Sequence, residues 1–410
     1  MRLCPVVLLL LGSLPWLPAQ EPAAPPKPAV PGPAASAPAL APTGPMELDF
    51  PAGWASEEVG EGVVLHRRLF EALEGRPQAV AVLVVEAQRP EVALQLAIPG
   101  KLRRTSAIAR DASALAAVNG GFYLADTSPR GRRRLAGEER KDASAPDVAA
   151  AGWSADAVTF GRAADAFDGC RDVIEAGPMV LVAGKVRPGG EKQRNVRHPR
   201  TVLGARKDGT VVLAAVDGRN AKAAGMTYGD LGRLMLALGC TDAINLDGGG
   251  STTLWTMQHG VVNHPCDDKV FDAAGERAVA DAVLVQAPAV VVVDDELGLA
   301  APADRFVRKA AKAALGGSHL AAAQGAGAEV TWTVAVPREG RYALFVRDLG
   351  AAAGRAQWNA VPAERLPQAP AGWRAVGALE AKGSTLLTVR ASGVAGSALA
   401  VDAVRLREWR

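Results

Sequence analysis

The chain has 410 residues, 49% of them hydrophobic and 22% charged, which are ordinary globular values at a length that calls for more than one domain. A formal net charge of +3 excludes a global electrostatic footprint for nucleic acid. The local basic run Arg130, Arg132, Arg133 and Arg134 sits among Pro129, Gly131 and Gly137, which break regular elements, so it reads as a solvated loop, with a phosphate-facing loop as the alternative.

In chain order, residues 1–19 place Arg2 ahead of a short apolar run and a small residue at Ala19. That is the pattern of a signal peptide, too short and broken for a stable membrane span. The expectation is a soluble exported protein, secreted or periplasmic. Residues 20–45 are dominated by proline and alanine and read as an extended linker. Residues 80–85 are a continuous apolar run rich in valine, and residues 92–98 alternate, so both read as strands. Residues 105–111 predict a short helix. Residues 114–119 predict a buried strand that ends in Asn119-Gly120-Gly121.

Residues 201–205 and 211–216 predict a hairpin around Asp208-Gly209, and its second strand runs into Asp217-Gly218-Arg219. Thr227 and Asp230 form a capping-box pattern, followed by Leu231, Leu234, Met235 and Leu238 on one helix face and by Gly239 as a stop. Residues 241–246 predict a short buried strand ending in Asn245-Leu246-Asp247, then Gly248, Gly249, Gly250, Ser251 and Thr252. Beyond residue 287 the sequence turns to short β-like runs separated by glycine and proline, which suggests a sandwich. Residues 308–315, rich in alanine and lysine, have helical propensity. Trp332 reads as core, and Trp358 is left open between core and a sugar-stacking role.

Three cysteines follow residue 19: Cys170, Cys240 and Cys266. The expected bridge is Cys240–Cys266, closing a loop that contains the Asp247 segment and worth about 3 kcal/mol on the chain-entropy estimate. Cys170 would stay free, and three buried reduced thiols are the alternative. No CxxC pair or histidine cluster accompanies them, so no metal and no cofactor is expected.

The three strand-end constellations share one physical logic. A rigid strand delivers a polar side chain to its mouth, and glycines then let the backbone approach a ligand. Asn119, Gly120, Gly121, Asn245, Gly248, Gly249, Gly250, Ser251 and Thr252 are therefore candidate substrate-binding residues. Taken singly, Asp-Gly and Asn-Gly pairs are turn formers. Three glycines after Asp247 are costly in backbone entropy and read as more than a turn, although an anion nest without catalysis also fits. The segment lacks the ending of a P-loop and the spacing of a dinucleotide fingerprint.

Together, Asn119 to Phe122, Gly177-Pro178, Arg200 to Gly204, Val216 to Arg219, Gly225 to Thr227, Leu238-Gly239, Asn245 to Thr252, Asn263-His264-Pro265, Asp267 and Gly275-Glu276-Arg277 form an ordered set across residues 60–286. The set resembles the phosphodiester glycosidase family, with Cys266 standing where a serine-like residue is expected. Val336-Pro337, Gly340 to Tyr342, Gly372-Trp373 and Val401 to Arg405 more weakly resemble the golvesin and xanthan-lyase accessory sandwich. The resemblances imply an α+β fold: a mixed-sheet catalytic domain over residues 46–287 followed by an all-β sandwich over residues 288–410.

They also imply hydrolysis at the anomeric carbon of a sugar-1-phosphodiester in a glycan or cell-envelope polymer. The partner is then a carbohydrate or glycosyl-phosphate substrate, with neither nucleic acid nor a transmembrane segment. A phosphate leaving group calls for positive charge, for which Arg200, Arg219 and Arg277 are candidates. A carboxylate is needed beside the oxocarbenium-like carbon, with Asp247 as first choice and Asp217 as second. The alternative for Asp217 is a structural role, pairing with Arg219 or capping the following turn. The rival readings are a phosphodiesterase and a non-catalytic glycan-binding protein of the cell surface.

Overall fold

The computed structural model describes residues 46–409 apart from 156, 190–194, 295–298, 302–305, 311–317, 323–327, 348–355, 363–365, 384 and 395–398. The leader and linker expectations, residues 1–19 and 20–45, lie outside the described residues. Among the described residues no helix is long and apolar enough to cross a membrane.

The organising element is an eight-stranded sheet. Its strands lie side by side in the order Ala55–Gly60, Val63–Leu73, Arg76–Val85, Val211–Val216, Arg200–Arg206, Cys240–Asn245, Met179–Val182 and Lys185–Val186. Its neighbouring strands pair antiparallel. Side chains alternate between its two faces. Val82, Val202, Val212 and Ala214 pack on one face against Tyr228, Leu231, Leu234 and Met235 of the helix Tyr228–Ala237. Leu83, Leu203, Leu213 and Ile244 face the other way, into a second core. That core is shared with the sheet containing Ala116–Asn119 and Ala282–Gln286 and with the sheet containing Ala149–Trp153 and Asp172–Glu175.

The helix begins at the capping box read from the sequence: Thr227 Oγ1 accepts from the Asp230 backbone N–H and Asp230 Oδ2 accepts from that of Thr227, both at 3.1 Å. Strand register decides where the polar loops emerge. Arg200 pairs with Val216 and Val202 pairs with Asn245, so Asp217 and Asp247 leave the large sheet at the same edge.

Beyond residue 287, two four-stranded antiparallel sheets face each other across a core of Val330, Trp332, Tyr342, Leu344, Val389 and Val404. Trp332 is fully buried, and Trp358 stacks on it at 6.2 Å, which places Trp358 against the core. Residues 306–310 are a strand, Phe306–Ala310, paired with Ser318–Ala322. Over residues 308–310 the helical expectation fails because ladder pairing overrides alanine and lysine propensity, and its remainder, residues 311–315, lies outside the described residues. Arg405 pairs with Glu58 and Glu61, Arg407 with Glu61 and Glu91, and Arg338 with Glu408. The Arg405 and Arg407 pairs form a seam of charge that joins the last strand of the sandwich to the first hairpin and to Glu91 beyond the third strand, while Arg338–Glu408 lies within the sandwich.

Candidate active site

Asn119 is the hub of the site. Its Oδ1 accepts from Thr201 Oγ1 at 2.6 Å and from the Thr253 N–H at 3.1 Å, and its Nδ2 donates to the Asp247 carbonyl at 2.7 Å. The Asp247 N–H in turn donates to the Gly120 carbonyl at 3.0 Å. Asn119 and Gly120 therefore hold both sides of the Asp247 peptide and serve as framework. Gly121 is tied down by Asp281, whose Oδ1 accepts its N–H at 2.8 Å. A methyl group on Gly121 would overlap the Arg133 guanidinium, so only glycine fits there.

Asp247 is half-buried, and its Oδ1 accepts from the Gly248 N–H at 2.9 Å. Burial raises its carboxyl pKa above the ordinary range, against the opposing pull of Ser251, the Gly248 N–H and Arg277, and Asp281 adds to the rise. The three glycines that follow run beneath two arginines. A Cβ on Gly249 would lie 3.0 Å from Arg219 Nη2, and one on Gly250 would overlap the Arg277 guanidinium and the Asp267 carboxylate. Arg219 is exposed, with a φ of 61°, and faces neutral partners, His198 Nδ1 at 3.3 Å and Cys266 Sγ at 3.8 Å. Arg277 is gripped by Asp267 at 2.6 and 2.7 Å. Thr252 and Thr253 have buried hydroxyls with no hydrogen-bond partner among the described residues.

Other expected residues are placed differently. Arg200 is buried, donates to the Met226 carbonyl at 3.0 Å and lies over the Tyr228 ring at 4.0 Å. It shares the helix-facing side of its strand with Val202, so the expectation that it grips phosphate is corrected. Asn245 donates to the Gly177 carbonyl at 3.0 Å and to the Leu246 carbonyl at 2.6 Å, and Leu246 is fully buried. Asp217 is buried with its carboxylate taken: Oδ1 accepts from Asn263 Nδ2 and the His264 N–H, and Oδ2 lies 2.7 Å from His264 Nδ1. Asn263 also donates to the Thr252 carbonyl at 3.1 Å. Asp217 thus pins the loop that carries Cys266 and Asp267 instead of presenting a free oxygen.

The expected Cys240–Cys266 bridge is not formed, and Cys170, Cys240 and Cys266 are all free. Cys240 opens the strand Cys240–Asn245, whose far end, about 17 Å away at strand rise, delivers Asp247. Cys266 stands at that far end, beside Arg219. Cys240 is buried in the helix-side core, and burial pushes its thiol up to about 12.

The arginine run is not a solvated loop. Arg132 and Arg134 pair with Glu139, and Arg133 is fully buried against Asp281 at 2.7 Å. Arg133 also donates to the Glu175 carbonyl at 3.0 Å, so the ion pair braces Gly121 from beneath. Asp281 and Arg133 are the structural members of the site that the sequence reading missed.

The phosphodiester glycosidase family model matches residues 112–286. That span is similar to the phosphodiester glycosidase family. It holds the Asp247 loop, Asp217, Arg219 and Arg277 on one contiguous segment. The SPbeta prophage-derived uncharacterized protein YomE of Bacillus subtilis (strain 168) is 40% identical over 94 residues, 23% of this chain and 14% of that relative. The chain therefore matches about one seventh of that curated relative's length.

Among solved structures, the catalytic domain of zebrafish N-acetylglucosamine-1-phosphodiester alpha-N-acetylglucosaminidase, auto-inhibited by its pro-peptide, is similar at 19% identity with a TM-score of 0.46. That match covers 56% of this chain and 84% of the zebrafish chain. A hypothetical protein from Synechocystis is similar at 15% identity and the same TM-score of 0.46, over 55% of this chain and 62% of its own.

The raised pKa of Asp247 has a consequence for activity. If Asp247 works as a carboxylate, activity is lost as pH falls through its raised pKa, so the acid limb of kcat/KM lies above the ordinary carboxylate range of about 4. Arg277 lowers that pKa. Arg277→Gln is expected to move the acid limb to higher pH, measured as a full pH profile of kcat/KM. A limb that stays in place or moves to lower pH would remove Asp247 as the titrating group.

Proposed function

We propose that the protein is an exported hydrolase that cleaves the sugar C1–O bond of a sugar-1-phosphodiester in a glycan or cell-envelope polymer. The observation that carries this reading is the Asp247 loop: a half-buried carboxylate followed by glycines that lie directly against Arg219 and Arg277. Arg219, whose partners are neutral, keeps its full charge for the departing phosphate. Arg277 supplies a second guanidinium whose charge Asp267 partly balances and whose orientation Asp267 fixes. The closely approached backbone of Gly249 and Gly250 lets the phosphate sit low between them.

Asp247, held by Gly120 and Asn119 through its own peptide, faces the reacting carbon and supports the positive charge that develops there. A phosphodiester leaves as a stable anion, so a strong general acid is not required on the leaving side. Export rests on the leader pattern of residues 1–19.

The test is hydrolysis of a sugar-1-phosphodiester in oxygen-18 water. Label recovered in the sugar is expected and means C–O cleavage. Label recovered in phosphate means P–O cleavage and replaces the glycosidase reading with a phosphodiesterase.

A further inference from the structure

A cavity of about 450 Å³ lies beside the Asp247 loop, lined in part by Phe122, Arg130, Val148, Gly177, Pro178 and Met179. Two of its walls are bonded to the strand end and loop that deliver Asp247. Gly177 donates its N–H to the Asn245 carbonyl at 2.8 Å and accepts from Asn245 Nδ2 at 3.0 Å. On the other wall, Phe122 follows Gly121, and the Gly120 carbonyl accepts the Asp247 N–H. Arg219 and Arg277 lie against Gly249 and Gly250, outside the cavity lining. A substrate whose phosphate rests on those arginines can extend its sugar ring into this cavity.

The lining suits a pyranose. Phe122, Val148, Pro178 and Met179 offer apolar surface to the C–H face of a ring. The charges at the rim are decisive. Glu175 is buried and committed, accepting from the Arg132 N–H, the Ser144 N–H and the Ser144 hydroxyl. Asp147 points outward, its carboxylate mostly exposed and 3.8 Å from Arg162. Of the four clustered arginines, Arg132, Arg133 and Arg134 are paired with carboxylates. The Arg130 guanidinium alone among them has no partner among the described residues, and it stands exposed at the cavity.

We propose that this cavity is the sugar subsite and that Arg130 selects a sugar carrying an acidic group, a uronic acid type of ring, by a bidentate guanidinium–carboxylate contact. The proposal rests on the hydrolase reading for its orientation, but it can be measured by binding alone. The probes are free glucuronic acid, glucose and inorganic phosphate, titrated calorimetrically into the wild-type protein and into Arg130→Gln and Arg219→Gln.

Glucuronic acid is expected to bind wild type roughly ten-fold more tightly than glucose, the scale of one charge-assisted contact. That preference should vanish in Arg130→Gln and persist in Arg219→Gln. Arg130 is exposed and its backbone contacts are kept, so the variant retains the fold. Equal binding of the two sugars to wild type, or a preference that survives Arg130→Gln, overturns the proposal. So does competitive displacement of glucuronic acid by inorganic phosphate, which would make the cavity the phosphate site. If the preference behaves as expected but neither methyl phosphodiester of the two sugar 1-phosphates is hydrolysed, the sugar subsite stands and the hydrolase reading falls.

Discussion

Asp247→Asn is expected to lower turnover of a sugar-1-phosphodiester by roughly a thousand-fold or more while the protein stays folded. The rate effect follows from the loss of the charge beside the carbon that becomes oxocarbenium-like. The stability effect runs the other way. Burial raises the Asp247 pKa, so the folded state disfavours the ionised carboxylate. Asparagine keeps an oxygen to accept the Gly248 N–H and removes that penalty. The variant should melt at or slightly above the wild-type temperature. Steady-state kinetics with a thermal melt on the same preparation decides it: near-normal turnover in a folded variant would end the assignment of Asp247, and a collapsed melt would make its role structural.

The second large effect is on stability. Arg133 and Asp281 are both fully buried and 2.7 Å apart. Arg133→Met leaves the Asp281 carboxylate in the interior without its cation, a change that costs about 3–5 kcal/mol when one partner of a buried pair is removed. Asp281 also receives the Gly120 and Gly121 N–H groups, through its carbonyl and its Oδ1 respectively, so the damage spreads to the loop under Asp247. Urea denaturation of wild type and variant measures the loss. The double variant Arg133→Met, Asp281→Leu should recover much of it, because two apolar side chains leave no orphaned charge. A single variant within about 1 kcal/mol of wild type would show that Asp281 is solvated in solution.

The large elements were legible because hydrophobic period and turn chemistry agree locally. The hairpin around Asp208-Gly209, the capped helix and the strand into Asp247 all carry their signals within a few residues. The Asp247 loop was legible because three glycines in a row are hard to explain as a turn.

What stayed hidden was partner choice across long separations. Arg133 and Asp281 are 148 positions apart, and nothing near either names the other. One clue was available: a lone aspartate inside the apolar run of residues 278–286 demands a cation. The face on which Arg200 lies depended on register with the helix and is not readable from spacing. That Cys240 opens its strand was readable, but the return of Cys266 to the far end, beside Arg219, was not. Asp217 shows the same limit. Its position at a strand end was clear, but its commitment to His264 and Asn263 depends on a loop some 46 residues downstream.

The charge seam at the end of the chain changes how the two sequence modules should be regarded. Arg405 and Arg407 are nearly buried, and the carboxylates they meet, Glu58, Glu61 and Glu91, all belong to the start of the other module. Cutting the chain near residue 287 would strip Glu58 and Glu91 of their counter-charges and leave Glu61 with Arg89 alone. It would also free the Pro288 carbonyl that accepts the Glu61 N–H. The sandwich is therefore a buttress for the first hairpin. A shortened catalytic fragment inherits an acidic, unsupported corner that invites self-association or fraying of its outermost strands.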